Sequence, residues 1–132
     1  MVAMHSFTVS AVFPVAPEVI YLAWLNPHAH GEMTGSEAEG TGDVGEMFTA
    51  WGGYIVATTL ELTPRSRIVQ AWRTSEFAPT DPDSRIEVRF EAAEGGTRVT
   101  ITHSEITSGA DNYRQGWEDY YFAPMRAYFG TA

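Results

Sequence analysis

The stretch RQGWEDYYF at residues 114–122 decides the fold of this 132-residue chain, because it lies in a segment with helical spacing of large side chains. These recur every three or four residues: Tyr113, Trp117, Tyr120, Tyr121, Met125, Tyr128 and Phe129. The spacing predicts one long amphipathic helix with Asp111 as its N-cap and Gly130 after its end. Its inward face is expected to carry Trp117, Tyr121, Met125 and Tyr128. Gly116 would let it approach a sheet closely, and Pro124 should bend it or loosen one turn.

Upstream of this helix the sequence shows the two-residue period of strands. Residues 5–13 alternate, and two short helices are predicted to begin near Pro17 and Pro27. Further strands are predicted at residues 46–51, 54–63, 68–75, 85–91 and 97–106, with Gly52-Gly53 as a tight turn between the first two.

This order predicts a single α+β domain over residues 1–132, with two short helices after the first strand. About six to seven antiparallel strands are expected in total, and those after the two helices should pair with their neighbours in the chain as hairpins. One helix cannot cover a flat sheet of that size, so the sheet should curl around it and leave a cavity between them.

Composition narrows the classes of function. The net charge of −9 and pI of about 4.7 disfavour nucleic-acid binding, because such a surface repels phosphate. The apolar runs are too short for membrane insertion, and the first five residues contain no basic residue, so we expect no signal peptide and a cytoplasmic location. The absence of cysteine excludes thiolate chemistry, and we expect no cofactor.

Three segments of the chain resemble one known family. Residues 114–122, followed by Phe129-Gly130, closely resemble the terminal helix of the activator of the heat-shock protein 90 ATPase. Residues 68–73, IVQAWR, resemble its central strand, and residues 95–103, GGTRVTITH, are similar to the penultimate element of bacterial single-domain relatives. The likeness extends from Ser6 to Gly130.

The resemblance implies a helix-grip fold of the START and birch-pollen-allergen type. That superfamily includes carriers of sterols and lipids and polyketide cyclases. The eukaryotic activator has an additional N-terminal domain for chaperone contact, for which 132 residues leave no room, so we do not expect chaperone activation to follow from the resemblance alone.

The candidate ligand-binding residues are large aromatic side chains on the predicted helix and sheet, together with one histidine and one methionine: Trp51, Tyr54, Trp72, His103, Trp117, Tyr121 and Met125. Aromatic spacing also indicates a core, and a cavity wall can be both. Buried indole and phenol groups need hydrogen-bond partners, which makes them suitable ligand contacts.

Histidines offer two further hypotheses. His103 follows apolar residues on one strand face, with Glu105 next on that face, so it could anchor a ligand; a structural histidine satisfied by a neighbouring hydroxyl is the favoured alternative. His28, His30 and Glu32 suggest a metal site, but side chains two apart diverge on a helix, so no metal is expected.

No residue has the setting of a catalytic nucleophile or phosphate loop, so no catalytic residue is predicted. The acidic run at residues 32–46 is interpreted as a solvated hairpin rather than a partner-binding patch. We therefore expect a non-enzymatic binding module for a small hydrophobic molecule. The alternatives are a co-chaperone-like interaction domain in stress response, with a chaperone as partner, and a cyclase- or hydrolase-type enzyme.

Overall fold

In a computed structural model, which describes residues 4–131, a curved seven-stranded antiparallel sheet grips a C-terminal helix of three consecutive segments. The strands are β1 His5–Phe13, β2 Glu39–Gly40, β3 Met47–Ala50, β4 Ile55–Thr63, β5 Arg67–Thr74, β6 Ser84–Ala93 and β7 Gly96–Ile106. The helices are α1 Pro17–Leu25, α2 Pro27–Thr34, α3 Ala110–Trp117, a π-helical segment Glu118–Phe122 and α4 Ala123–Phe129. This confirms the predicted helix-grip α+β fold.

The sheet runs in the order β1-β7-β6-β5-β4-β3-β2, so the first strand pairs with the last. Alternate residues on β5, β6 and β7 are buried on the face that meets the helix, as the two-residue period predicts: Trp72, Ile86, Val88, Val99, Ile101 and His103. The β6–β7 hairpin turns at Glu94-Gly95, and β7 begins at Gly96, where a Cβ atom would lie 1.9 Å from the carbonyl oxygen of Phe13. Only glycine fits there.

The C-terminal helix begins two residues earlier than predicted. Its N-cap is Gly109, with φ 79°, and Asp111 lies in the first turn of α3, so the predicted Asp111 cap is wrong. A left-handed Gly109 lets the chain enter the helix directly, and Asp111 there still complements the positive end of the helix dipole.

Pro124 changes the helix as predicted, by loosening one turn. A π-helical segment immediately precedes α4, which carries the proline in its first turn. Proline has no N–H to donate and its ring crowds the preceding turn, and a wider turn relieves both problems.

The wider turn also changes which aromatic residues face the sheet. Phe122 and Met125 are buried, whereas Tyr128, predicted to face inward, is 48% exposed. In an α-helix a step of four residues goes slightly past one full turn, so side chains four apart drift around the helix. The wider π-helical turn cancels this drift. Phe129, four residues after Met125, therefore lies on the packed side in place of Tyr128. Phe129 contacts Phe13, with 6.2 Å between ring centroids.

The two short helices lie against the middle of the C-terminal helix. Trp24 of α1 stacks on Tyr121, with ring centroids 5.1 Å apart. Asn26 separates α1 from α2, and its side chain accepts a hydrogen bond from the backbone N–H of Ala29. The acidic run at residues 32–46 begins in α2, where Met33 is buried, and only its second part belongs to the β2–β3 hairpin interpreted from the sequence, in which Glu39 pairs with Thr49. Within residues 4–131, no helix is both long enough and apolar enough to cross a bilayer.

Candidate functional site

A cleft of about 550 Å³ remains between the C-terminal helix, the end of β5 and the connection from β3 to β4. Its walls are mainly aromatic: Trp51, Tyr54, Trp72, Tyr113, Trp117, Tyr120 and Tyr121. Four polar side chains complete the lining: Glu76, Asn112, Gln115 and Asp119.

Gly116 lies on the wall of this cleft rather than at a close helix–sheet contact. A Cβ atom there would have one neighbour within 4 Å among the described residues, a ring carbon of Tyr120 at 3.8 Å. The sequence-based explanation of Gly116 is therefore wrong. Its missing side chain leaves space inside the cleft.

Five of the seven predicted ligand-binding residues line this cleft: Trp51, Tyr54, Trp72, Trp117 and Tyr121. Met125 is completely buried beneath the helix, outside the lining. His103 is also fully buried and lies behind Trp72, 4.6 Å away between ring centroids. The sequence missed Tyr113, Tyr120 and the four polar residues, although Tyr113 and Tyr120 belong to the same helical aromatic pattern.

His103 connects the helix to three strands through a chain of hydrogen bonds. The indole N–H of Trp117 donates to its Nδ1 at 3.1 Å, and Nε2 lies 2.8 Å from the Ser84 hydroxyl. An indole nitrogen can only donate, so the imidazole proton is on Nε2 and points to Ser84. Ser84 in turn donates to the carbonyl of Trp72 at 2.8 Å. This is the favoured alternative, a histidine satisfied by a neighbouring hydroxyl.

Glu105 does not join this network. Its backbone adopts a left-handed conformation with φ 58°, and its side chain is exposed while Ile106 takes the buried position. The predicted shared face of His103 and Glu105 is therefore wrong, because the strand's alternation breaks at Glu105.

Burial lowers the pKa of His103 to about 3, so the imidazole is neutral.

His30 forms a second buried link to the helix. Its Nδ1 donates to the Trp24 carbonyl at 2.8 Å, and its Nε2 accepts from the Tyr121 hydroxyl at 2.8 Å. Burial lowers the pKa of His30 to about 4, although the bond to Trp24 opposes this, and burial raises the pKa of Tyr121.

His28 points away from His30 and pairs with Glu32 at 2.6 Å on the surface. The helical divergence expected from the sequence therefore separates the two imidazoles. No three His, Cys, Asp or Glu side chains in the described part of the chain are grouped as metal ligands.

Hydrogen bonds orient the polar residues at the mouth of the cleft. The Tyr54 hydroxyl donates a hydrogen bond to Oε2 of Glu76. Burial, and to a smaller extent this hydrogen bond, raises the pKa of Tyr54 to about 12. The Gln115 amide donates to Oδ1 of Asp119 at 3.0 Å. Both carboxylates are thus held by neutral donors.

Trp51 has two unusual features. Its backbone has φ 54° and begins a turn that continues through Gly52 and Gly53, both also at positive φ. This 3₁₀ turn replaces the predicted two-residue Gly52-Gly53 hairpin, and β3 ends before it at Ala50. The Trp51 indole N–H is buried without a hydrogen-bond partner among residues 4–131, and the ring packs edge-on against Tyr120 at 5.4 Å. A strained backbone and an unsatisfied donor at a cleft are features typical of functional sites.

Comparison with known proteins gives one matching family. The model described as "Activator of Hsp90 ATPase homolog 1-like protein" matches residues 14–130. None of the curated protein sequences compared with this chain matches it significantly.

Solved structures share the fold. An HSP90 activator from Plasmodium falciparum superposes with a TM-score of 0.85 at 24% identity, covering 96% of this chain and 97% of that one. The Aha1 dimer from Colwellia psychrerythraea gives 0.78 at 18% identity, covering 97% and 99%. CalU16 from Micromonospora echinospora gives 0.78 at 18% identity, covering 98% and 85%.

Proposed function

This chain belongs to the family of activator of Hsp90 ATPase homolog 1-like proteins, and we propose that within this family it is a non-enzymatic module that binds a small hydrophobic molecule between helix and sheet. The observation that supports this proposal is the aromatic cleft. Its volume of about 550 Å³ is within the usual range of ligand pockets. Such sites are mostly apolar with a few oriented polar groups, as here.

The unpartnered indole of Trp51 also supports a bound molecule. A buried donor left without an acceptor costs about 1–3 kcal/mol, which an oxygen atom of a ligand would recover. The ring of Tyr120, 58% exposed, covers Trp51 and could move aside without disturbing the core. The ligand would then pair its apolar body with the aromatic walls and one acceptor with Trp51.

A non-enzymatic role is supported by the state of the buried histidines. A general base needs a free nitrogen within reach of a substrate proton. Both nitrogens of His103 and both of His30 are occupied by protein groups. These imidazoles therefore serve the helix contacts rather than the cleft.

Gly116 provides a direct test of ligand binding. Saturable changes in tryptophan emission are expected when fatty alcohols, sterols or neutral aromatic polyketide-like compounds are titrated into the protein. Gly116→Leu should fill the cleft and lower the affinity of any such compound at least about tenfold, equivalent to 1.4 kcal/mol. The substitution should not lower thermal stability, because leucine favours a helix over glycine by up to about 1 kcal/mol.

Gly116→Ala is the matched control, since one methyl group occupies little of the cleft and should leave affinity nearly unchanged. Binding that survives Gly116→Leu would locate the ligand elsewhere. If no compound class changes the emission of the native protein, the carrier function fails.

A co-chaperone function is the second candidate, favoured by the HSP90 activator from Plasmodium falciparum, whose matched region spans 97% of its chain. We expect no saturable rise in ATP turnover when this chain is added to the HSP90 homologue of its own host, measured by phosphate release. A several-fold saturable rise that persists with Gly116→Leu would establish the co-chaperone function instead, because that variant changes the cleft and not the outer surface.

A further inference from the structure

We propose that the ligand of the cleft is an organic cation, a protonated or quaternary amine attached to a flat apolar body. This inference rests on the proposed function of the cleft and adds the sign of the ligand's charge. It follows from the charges at the lining, from the shape of the aromatic walls and from the positions of the nearest arginines.

The charged side chains of the lining are both acidic. Glu76 and Asp119 stand at the mouth, and no arginine or histidine among residues 4–131 lines the cleft or forms an ion pair with either carboxylate. The Tyr54 hydroxyl and the Gln115 amide each hold one oxygen of these carboxylates in a fixed position. A carboxylate ligand such as a fatty acid would be repelled, whereas a cation would be attracted.

Two arginines that could have neutralised this mouth are used elsewhere. Arg73 donates to Asp83 at 2.7 Å and to the carbonyls of Ala78 and Asp81. Arg114, adjacent to the lining residue Gln115, lies over the ring of Phe7 at 5.0 Å. The negative potential of the cleft is therefore not compensated locally, in a chain whose net charge is already −9.

The aromatic rings form walls that meet at steep angles. Trp72 and Tyr113 are inclined by 87° with centroids 5.2 Å apart, and Trp51 and Tyr120 by 72°. Walls that meet at steep angles can present more than one ring face to a rounded group. The electron-rich faces of tryptophan and tyrosine attract cations, and quaternary ammonium groups are bound in aromatic cages of this kind.

Three naphthyl probes of different charge test the inference: (2-naphthylmethyl)trimethylammonium, its neutral neopentyl analogue of the same shape, and the anion 2-naphthylacetate. Binding to the full chain would be measured by calorimetry at low and high salt. We expect the cation to bind at least about tenfold more tightly than the neutral probe, the acetate to bind most weakly, and the preference to shrink as salt rises.

Two substitutions give the same test from the side of the protein. Glu76→Gln and Asp119→Asn should each weaken the cation several-fold and leave the neutral probe unchanged, while Glu91→Gln on the exposed part of β6 should change neither. Equal binding of all three probes, or strongest binding of the acetate, would overturn the cation inference and leave the carrier function intact. If none of the three binds and the neutral compounds above also fail, the carrier function itself is overturned.

Discussion

Replacing Trp117 with alanine is expected to lower the free energy of unfolding by about 3–5 kcal/mol, the range for large aromatic truncations in a core. Trp117 is 3% exposed and meets Trp72 and Tyr121 at centroid distances of 5.6 and 4.8 Å. The truncation also removes the donor to His103, which leaves a buried imidazole nitrogen without its partner. The loss would be measured by denaturant unfolding.

Two further variants separate the causes of that loss. Trp117→Phe keeps most of the ring contacts and removes the hydrogen bond, so it should cost clearly less than the alanine variant. Tyr128→Ala removes a ring that is 48% exposed on the same helix and should cost below about 1 kcal/mol. A loss for Trp117→Ala no larger than that for Tyr128→Ala would show that this helix does not hold the sheet closed.

The fold could be predicted from the periodicity of the sequence, and an interruption of that periodicity explains why the packed face of the C-terminal helix was predicted incorrectly. The two-residue period placed Ile86, Ile101 and His103 on the buried face, and these residues do lie there. A rule based on an ideal α-helix could not predict that Phe129 replaces Tyr128 on the packed side, because the π segment adds a residue to one turn. Pro124 was the available signal, and it predicts a disturbed turn without giving its direction.

The aromatic walls of the cleft could be predicted because aromatic residues are large and recur regularly. The hydrogen-bond partners could not. Ser84 reaches His103 only because β6 and β7 pair in a register that aligns Ile86 with His103. His30 meets Tyr121 across 91 residues of sequence, through the packing of α2 against the C-terminal helix. Contacts between distant segments leave no local pattern in the sequence.

Acid is expected to begin destabilising this protein at pH values above those that protonate its ordinary carboxylates, because His30 and His103 bind protons poorly in the native state. Their pKa values are lowered to about 4 and about 3, against about 6.5 in the unfolded chain. Since the unfolded chain takes up these protons first, both contributions to stability are complete above pH 6.5 and are lost as the pH falls toward 4. Each histidine contributes at most about 1.4 kcal/mol per pH unit, so the combined loss by pH 4 is on the order of 5 kcal/mol.

Geometry supports the sign of this effect independently of the pKa values. Protonation of His103 would place an imidazole N–H against the indole N–H of Trp117, so two donors would face each other. Protonation of His30 would place an imidazole N–H against the Tyr121 hydroxyl, which would have to accept a hydrogen bond instead of donating one. Chemical unfolding between pH 7 and pH 4.5 would measure the slope. His103→Asn and His30→Gln, which keep an acceptor near each helix contact, should each remove about half of the slope, and the double variant most of it. A slope that is unchanged in the double variant would mean that surface carboxylates, such as Glu118 paired with Arg126 at 2.7 Å, control the acid transition instead.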